Sequence, residues 1–126
     1  MEQFARSTDG TSIHYRVYGR GSVALLFVHG WLGNCAWWEA QLSHFASRYA
    51  VAAMDLGGHG KSGKGRAVWA PGSYVEDIRS VMDRLEQEQV VLIGHSMSGA
   101  YILEAALRHP KAKALVPVDT LKSLDQ

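Results

Sequence analysis

The stretch VVLIGHSMSGAY, residues 90–101, decides the fold, because an apolar run ends there in a serine framed by glycines. Such a run is typical of a strand that is buried on both faces of a parallel sheet. We interpret Gly94 to Gly99 as a form of the G-x-S-x-G pattern, which sets a serine on a sharp turn where a strand passes into a helix. The residues that follow predict a helix that carries Leu103, Ala106 and Leu107 and ends at His109, before Pro110.

Further strand patterns lie on both sides of this stretch. Amphipathic segments separate them, and buried strands that alternate with helices predict an α/β fold. We therefore expect a single domain over residues 1–126, with a mainly parallel sheet flanked by helices. The predicted strands are the alternating TSIHYRVYG (11–19), the apolar SVALLFVHG (22–30) and YAVAAMDLGG (49–58), and the final KALVPVDT (113–120).

Local signals place the connecting segments. Asn34 can cap a helix that carries Trp38, Leu42 and Phe45 at helical spacing. Ser73 and Glu76 have the spacing of a capping box, which predicts that a second helix begins there. The segment GKGRAVWAPGS (63–73) is typical of a flexible surface loop, and LKSLDQ (121–126) of a tail or the start of a helix.

Composition excludes several classes of function. The formal net charge is +1, which favours neither nucleic acid nor an anionic membrane surface as a partner. Cys35 is the one cysteine, the first ten residues lack a signal-peptide core, and VALLFV is too short to span a bilayer. We expect a cytoplasmic protein. The sequence has no zinc-ligand spacing, phosphate loop or G-x-G-x-x-G after a strand, so we expect neither a metal nor a cofactor.

Three segments in this order carry a resemblance: HGWLG (29–33), DLGGHGKS (55–62) and GHSMSG (94–99). Together they resemble the amino-terminal half of an α/β-hydrolase, above all the small esterases, cofactor-free haloperoxidases and carbon–carbon bond hydrolases. The resemblance implies a truncated α/β-hydrolase fold that lacks the last strands and the lid. It also implies that Asp55, His59 and Ser62 brace a structural turn.

The same resemblance implies a serine site. Ser96 would be the nucleophile of an acyl-enzyme, with the backbone N–H groups of Trp31 and Met97 as the oxyanion hole. Asp119, at the end of the last predicted strand, matches a position that some members use for the triad acid; the alternative is an aspartate that caps a loop. The residues expected to support the turns are His29, Gly30, Gly94, His95 and Gly99, with His29 orienting the turn or packing rather than acting as a base.

The expected histidine is missing from its usual place. His109 follows Ser96 in the chain, but it lies at the far end of the next helix and should be remote from the serine. An unassisted serine hydroxyl is a poor nucleophile, although an oxyanion hole alone can retain on the order of 10³-fold catalysis over water. We therefore predict a weak esterase whose efficient turnover needs a histidine from elsewhere, such as a second copy of the chain. The alternative is a catalytically impaired half-domain that acts as a binding or assembly module.

The last predicted strand should also lie at an exposed edge of the sheet. Pro117 cannot donate a ladder hydrogen bond, which suits an edge strand. An exposed edge is a template for pairing, so we expect a homo-oligomer formed through residues 113–119. Trp31 should lie beside an open, apolar site that favours short-chain esters over long lipids.

Overall fold

The computed structural model describes residues 1–107 and 109–120 and contains one six-stranded sheet. Strands β3 to β6 pair in parallel, while β1 and β2 form an antiparallel extension at one side. The order across the sheet is β1-β2-β4-β3-β5-β6. The strands are β1 Glu2–Arg6, β2 Ser12–Tyr18, β3 Val23–Val28, β4 Ala50–Met54, β5 Gln89–His95 and β6 Ala112–Val118. The predicted α/β class is confirmed, and β1 is a strand that the sequence patterns did not indicate.

Within the described residues, three α-helices and one 3₁₀ turn connect the strands. The 3₁₀ turn Cys35–Trp38 leads into α1 Glu39–Phe45, and α2 Pro71–Arg84 and α3 Ser98–Ala106 follow. Asn34 caps the 3₁₀ turn, because its Oδ1 accepts a hydrogen bond from the backbone N–H of Ala36 at 2.8 Å. The predicted cap therefore lies at the predicted residue, although it opens a 3₁₀ turn rather than the α-helix itself.

The predicted capping box at Ser73 is wrong. Helix α2 begins two residues earlier, at Pro71, whose fixed φ suits the first position of a helix. Ser73 lies inside the first turn, where its hydroxyl donates to the carbonyl of Val68 at 3.0 Å and accepts the N–H of Ala70 at 3.4 Å. The side chain thus stabilises the entry to the helix from within.

The core has two parts, one on each face of the sheet. Alternate residues of β3 point to opposite faces, so Leu26 packs on the side of α2 and α3, and Phe27 on the side of α1. Burial of each such side chain stabilises the fold by about 1.5–3 kcal/mol. The buried side chains of the first part include Ile13, Leu26, Met54, Ile78, Met82, Leu92 and Ile102; those of the second include Phe27, Trp38, Leu42, Val51 and Ile93.

Helix α3 ends at Ala106, before the end predicted at His109. The helix buries Ile102 and Ala105 against the sheet, while Leu103 is 53% and Leu107 58% exposed. Ala106 is partly buried against the core. Two stripes at helical spacing coexist on this short helix, and the sheet covers only one of them.

The segment 63–73 is not the free surface loop that its composition indicates. Arg66 is buried and pairs with the carboxylates of Asp77 and Asp9, with a distance of 2.7 Å from its Nε to Asp9 Oδ2. Asp77 belongs to α2 and Asp9 to the turn between β1 and β2. One buried guanidinium therefore anchors this segment to two other elements.

The predicted last strand is β6, and it lies at the edge of the described sheet. Val116 and Val118 are exposed there, and Pro117 pairs in register with Gly94 of β5. The residues 121–126, predicted to form a tail or the start of a helix, lie outside the described residues. No helix within residues 1–107 and 109–120 has the length and apolar character needed to cross a membrane.

Candidate active site

Ser96 occupies a strained turn between β5 and α3. Its φ is 57°, in the left-handed region that a residue with a Cβ adopts only at a cost. Its N–H donates to the carbonyl of Val118 at 2.9 Å, and its carbonyl accepts from the Thr120 hydroxyl at 2.8 Å. Hydrogen bonds from the adjacent strand end thus hold the backbone in this conformation, and Ser96 is half-buried.

Close packing explains the glycines on both sides of the serine. A Cβ on Gly94 would lie 2.7 Å from the carbonyl oxygen of Ser98, and one on Gly99 would collide with the side chain of Thr120. Any larger residue would push α3 away from the end of β5. The space at these two positions therefore admits only glycine.

The segment departs from the G-x-S-x-G pattern at one position, because Ser98 stands two residues after Ser96 where the pattern has glycine. Ser98 is fully buried, and its hydroxyl donates to the carbonyl of His29 at 2.5 Å. The hydroxyl thus links the serine turn to the end of β3. Sequence reasoning missed this residue, and the departure from the pattern was the signal that could have found it.

The end of β3 lies directly against the serine. A Cβ on Gly30 would lie 3.0 Å from the Cβ of Ser96 and 2.8 Å from Nδ1 of His95, so only glycine fits between the two turns. Within the described residues, neither the N–H of Trp31 nor that of Met97 donates to a backbone carbonyl. Both residues lie at the turns that border Ser96.

His29 is fully buried and both of its ring nitrogens are engaged. Nε2 accepts the N–H of Leu56 at 3.0 Å, so the proton resides on Nδ1, which donates to the carbonyl of Gly30 at 2.8 Å. Burial lowers the pKa of His29 to about 4. A neutral imidazole with an occupied lone pair cannot accept a proton from Ser96, which agrees with the orienting role expected for this residue.

The other predicted residues lie in different surroundings. His95 is half-buried, and its ring stacks on that of Trp37 with centroids 5.5 Å apart. His109 lies at the far end of α3, where its Nε2 is 2.8 Å from the Asp83 carboxylate. Asp119 is exposed and stands between Val118 and Thr120, the two residues that bind the backbone of Ser96.

The turn after β4 is braced by Asp55. Its Oδ1 accepts from the N–H of Cys35 at 2.7 Å, and its Oδ2 accepts from the N–H of Lys61 at 3.0 Å and lies 2.8 Å from His14 Nδ1. Burial opposes ionisation, but the donors from Lys61 and Cys35 hold the pKa of Asp55 below its usual range. Ser62 donates to the Asp55 carbonyl at 2.5 Å, so the turn has the internal bracing expected of it.

His14, Cys35 and Asp55 also form the one described group of side chains that could hold a metal ion. Their ligand atoms lie within 4.8 Å of one another, and all three residues are buried. The carboxylate is already committed to backbone donors, and burial raises the pKa of the Cys35 thiol to about 11. The geometry and the chemistry of these groups describe a hydrogen-bonded brace rather than a ligand set.

A cleft of about 400 Å³ opens beside the two turns. Trp31 and Met97 contribute to its wall, so the two candidate oxyanion N–H groups belong to residues that line it. A larger hollow of about 940 Å³ lies across β1 and α2, and none of the residues that line it belongs to the serine turn. The cleft of interest is lined by Trp31, Leu32, Gly57, Gly58, His59, Lys64, Trp69, Tyr74 and Met97.

A parallel sheet that ends in a strained serine turn, packed against an open Gly-Trp turn, defines the α/β-hydrolase class. The chain belongs to the alpha/beta hydrolase fold family, whose family model matches residues 23–125. The predicted family and truncated fold are thereby confirmed.

Known relatives agree with this assignment. A non-heme haloperoxidase from Rhodococcus erythropolis is 34% identical over 107 residues, which cover 84% of this chain and 39% of that protein. A non-heme chloroperoxidase from Streptomyces lividans is 32% identical over 104 residues, covering 81% of this chain and 38% of that protein. The structure of an esterase from Exiguobacterium antarcticum superposes with a TM-score of 0.87 at 28% identity, over 95% of this chain and 46% of the esterase. The chain thus spans less than half the length of these relatives.

Proposed function

We propose that this chain carries the nucleophile and oxyanion hole of a serine hydrolase that cleaves carboxylic esters. The observation that carries the proposal is the left-handed Ser96 between β5 and α3, packed against the turn that carries Trp31. Ser96 Oγ would attack the ester carbonyl and release the alcohol, and water would then hydrolyse the acyl-enzyme. The N–H groups of Trp31 and Met97 would stabilise the negative charge that develops on the carbonyl oxygen.

The general base must come from outside the described contacts. No histidine in residues 1–107 or 109–120 hydrogen-bonds to the hydroxyl of Ser96, and His29 is excluded by its occupied nitrogens. We propose Asp119 as the carboxylate that orients such a histidine, because it stands between the two residues that bind the serine backbone. A second copy of the chain, associated through the β6 edge, is the source we propose.

The substrates we propose are small, short-chain esters. The cleft is open to solvent on the side of Trp31, whose ring is largely exposed, and its apolar lining is shallow rather than tunnel-like. A long acyl chain would leave most of its methylenes in water, where they contribute no binding energy. Acetate and butyrate esters should therefore be preferred to octanoate esters.

A second candidate function is a binding or assembly half-domain. The exposed leucines of α3 and the exposed valines of β6 favour it, because they form apolar surface next to an unpaired strand edge. On this alternative the serine turn would be a structural remnant. Activity measurements separate the two.

Hydrolysis of p-nitrophenyl acetate, butyrate and octanoate by the purified chain tests the esterase proposal. Activity on the short esters should be present in the wild type and in Ser47→Ala, which removes an exposed serine remote from the site, and should be absent in Ser96→Ala. Mass spectrometry should detect an acyl adduct on Ser96 alone. Equal rates in the wild type and Ser96→Ala would refute the proposal and leave the binding half-domain.

A further inference from the structure

The cleft beside Ser96 is lined by aromatic side chains that are unusually exposed to solvent. Trp31 is 68% and Trp69 46% exposed, although rings of this size are normally buried for most of their area. Tyr74 also lines the cleft, with its ring centroid 6.4 Å from that of Trp69 and 5.4 Å from the stacked ring of Tyr101. These exposed faces are available to a flat ligand.

The Trp69 ring, which forms part of the cleft wall, is held in place. The Arg66 guanidinium lies 5.4 Å from the ring centroid, and it is fixed by the carboxylates of Asp77 and Asp9. The outer edge of the ring contacts Gly58 so closely that a Cβ there would lie 2.8 Å from Cη2 of Trp69. The ring is therefore pre-organised, and a ligand that stacks on it loses little entropy to ordering.

The cleft also carries one sign of charge. Lys64 is the single permanently charged side chain among the described residues that line it, and no aspartate or glutamate is among them. Within the described part of the chain, Lys64 forms no ion pair. Its Nζ donates to the carbonyl of Gly60 at 2.8 Å and to that of Ser62 at 3.5 Å, which leaves one ammonium N–H to bind an anion.

We propose that this cleft selects a single-ring aromatic molecule that bears a carboxylate. The ring would stack on Trp31 and Trp69, and the carboxylate would accept a charge-assisted hydrogen bond from Lys64. A volume of about 400 Å³ suits a ligand of this size. The inference rests on the proposed function in one respect only: it makes the molecule part of an ester substrate of Ser96.

Binding to the full chain carrying Ser96→Ala tests the selectivity without requiring catalysis. Tryptophan fluorescence would follow titration with benzoate, with its neutral isostere benzamide and with acetate. Benzoate should bind about tenfold more tightly than benzamide, because a hydrogen bond to a charged group contributes about one factor of ten in Kd. Acetate should bind more weakly than either aromatic ligand, and higher salt should shrink the preference for benzoate.

Two lysine variants test whether Lys64 supplies the positive charge that binds the carboxylate. Lys64→Met should abolish the preference for benzoate over benzamide, whereas Lys61→Met should retain it, because Lys61 pairs with Glu2 and does not line the cleft. Equal binding of benzoate and benzamide to the parent chain would overturn the proposal. So would an unchanged preference in Lys64→Met, or acetate binding as tightly as benzoate.

The outcomes also separate this proposal from the esterase activity. If benzoate binds selectively but the wild type hydrolyses no ester, the catalytic proposal fails and the ligand selectivity stands. If the wild type hydrolyses phenyl acetate but the chain binds benzoate no more tightly than benzamide, the proposed selectivity fails and the esterase proposal stands.

Discussion

At the scale of single residues, the backbone conformation of Ser96 lowers the stability of the folded chain. A left-handed φ of 57° costs a residue with a Cβ about 1 kcal/mol relative to glycine. Ser96→Gly should therefore raise the free energy of unfolding by about 1 kcal/mol and abolish hydrolysis. Urea denaturation followed by fluorescence would measure the stability change.

Ser96→Ala is the matched control for that prediction. It removes the same hydroxyl but keeps the Cβ and its strain, so its stability should stay within about 0.5 kcal/mol of the wild type. If Ser96→Ala and Ser96→Gly have the same free energy of unfolding, the left-handed backbone of Ser96 does not destabilise the fold.

His29 gives the fold a dependence on acid. Because burial lowers its pKa to about 4 from 6.5, the unfolded chain binds a proton at a pH where the folded chain does not. The stability contributed by neutral His29 is complete above pH 6.5 and is lost as the pH falls toward 4. The loss should amount to on the order of 2–3 kcal/mol, measured by urea denaturation across this range.

Two histidine variants isolate this contribution. In His29→Gln the side-chain oxygen can still accept the N–H of Leu56, but the proton uptake is absent, so stability should fall less steeply below pH 6.5. His44→Gln changes an exposed histidine and should keep the wild-type slope. A ring of His29 that titrates by NMR near its ordinary pKa would contradict the prediction.

Single residues also show where sequence reasoning stops. The serine turn was predictable, because a buried strand, two glycines and a helix are all local patterns. The role of Ser98 was not, since its hydrogen-bond partner, His29, lies 69 residues away in the chain. Lys64 and Trp69 had no local signal at all, because a cleft is assembled from segments that only the fold brings together.

At the scale of elements, Arg66 joins three parts of the structure. It binds Asp77 on α2 and Asp9 in the β1–β2 turn, and Asp77 also accepts the N–H of Gly57 after β4. Arg66→Met should lower the free energy of unfolding by about 3 kcal/mol, because it leaves the buried Asp77 carboxylate without its cation. Chemical denaturation measures the loss. The fluorescence of Trp69 should also shift, because its ring loses the contact with the Arg66 guanidinium.

Arg16→Met provides the comparison for that variant. Arg16 pairs with the exposed Glu39 at 3.8 Å, and surface pairs of this kind contribute about 0–1 kcal/mol. If Arg66→Met loses no more stability than Arg16→Met, the buried cluster does not anchor the loop.

The elements themselves were predicted unevenly, for identifiable reasons. The buried strands stood out because their apolar runs are continuous, whereas β1 mixes exposed and buried residues and gives no such signal. Helix α3 has two apolar stripes, and its burial is decided by the sheet rather than by the helix. For α2, the serine pattern at residue 73 competed with Pro71, and the proline set the start.

At the scale of the whole molecule, β6 leaves one edge of the described sheet unpaired. The described chain surrounds β3 and β4 with neighbours, but β6 has a partner only on the side of β5. Val116 and Val118 are exposed on β6. Leu103 of α3 and Leu107, which follows that helix, are also exposed, and α3 contacts β6. Apolar surface beside an unpaired strand is the combination that promotes association between chains.

The association that we propose through β6 makes a specific prediction. The apparent mass of the 126-residue chain, measured by sedimentation over a concentration series, should rise above that of a monomer. Val116→Lys should keep the chain monomeric, because a charge at the 44%-exposed Val116 would have to be desolvated in the contact. Val68→Lys changes an equally apolar exposed residue far from β6 and should associate like the wild type. A wild type that remains monomeric at every concentration would refute the association, and hydrolysis that survives dilution would show that the base is not supplied by a second copy.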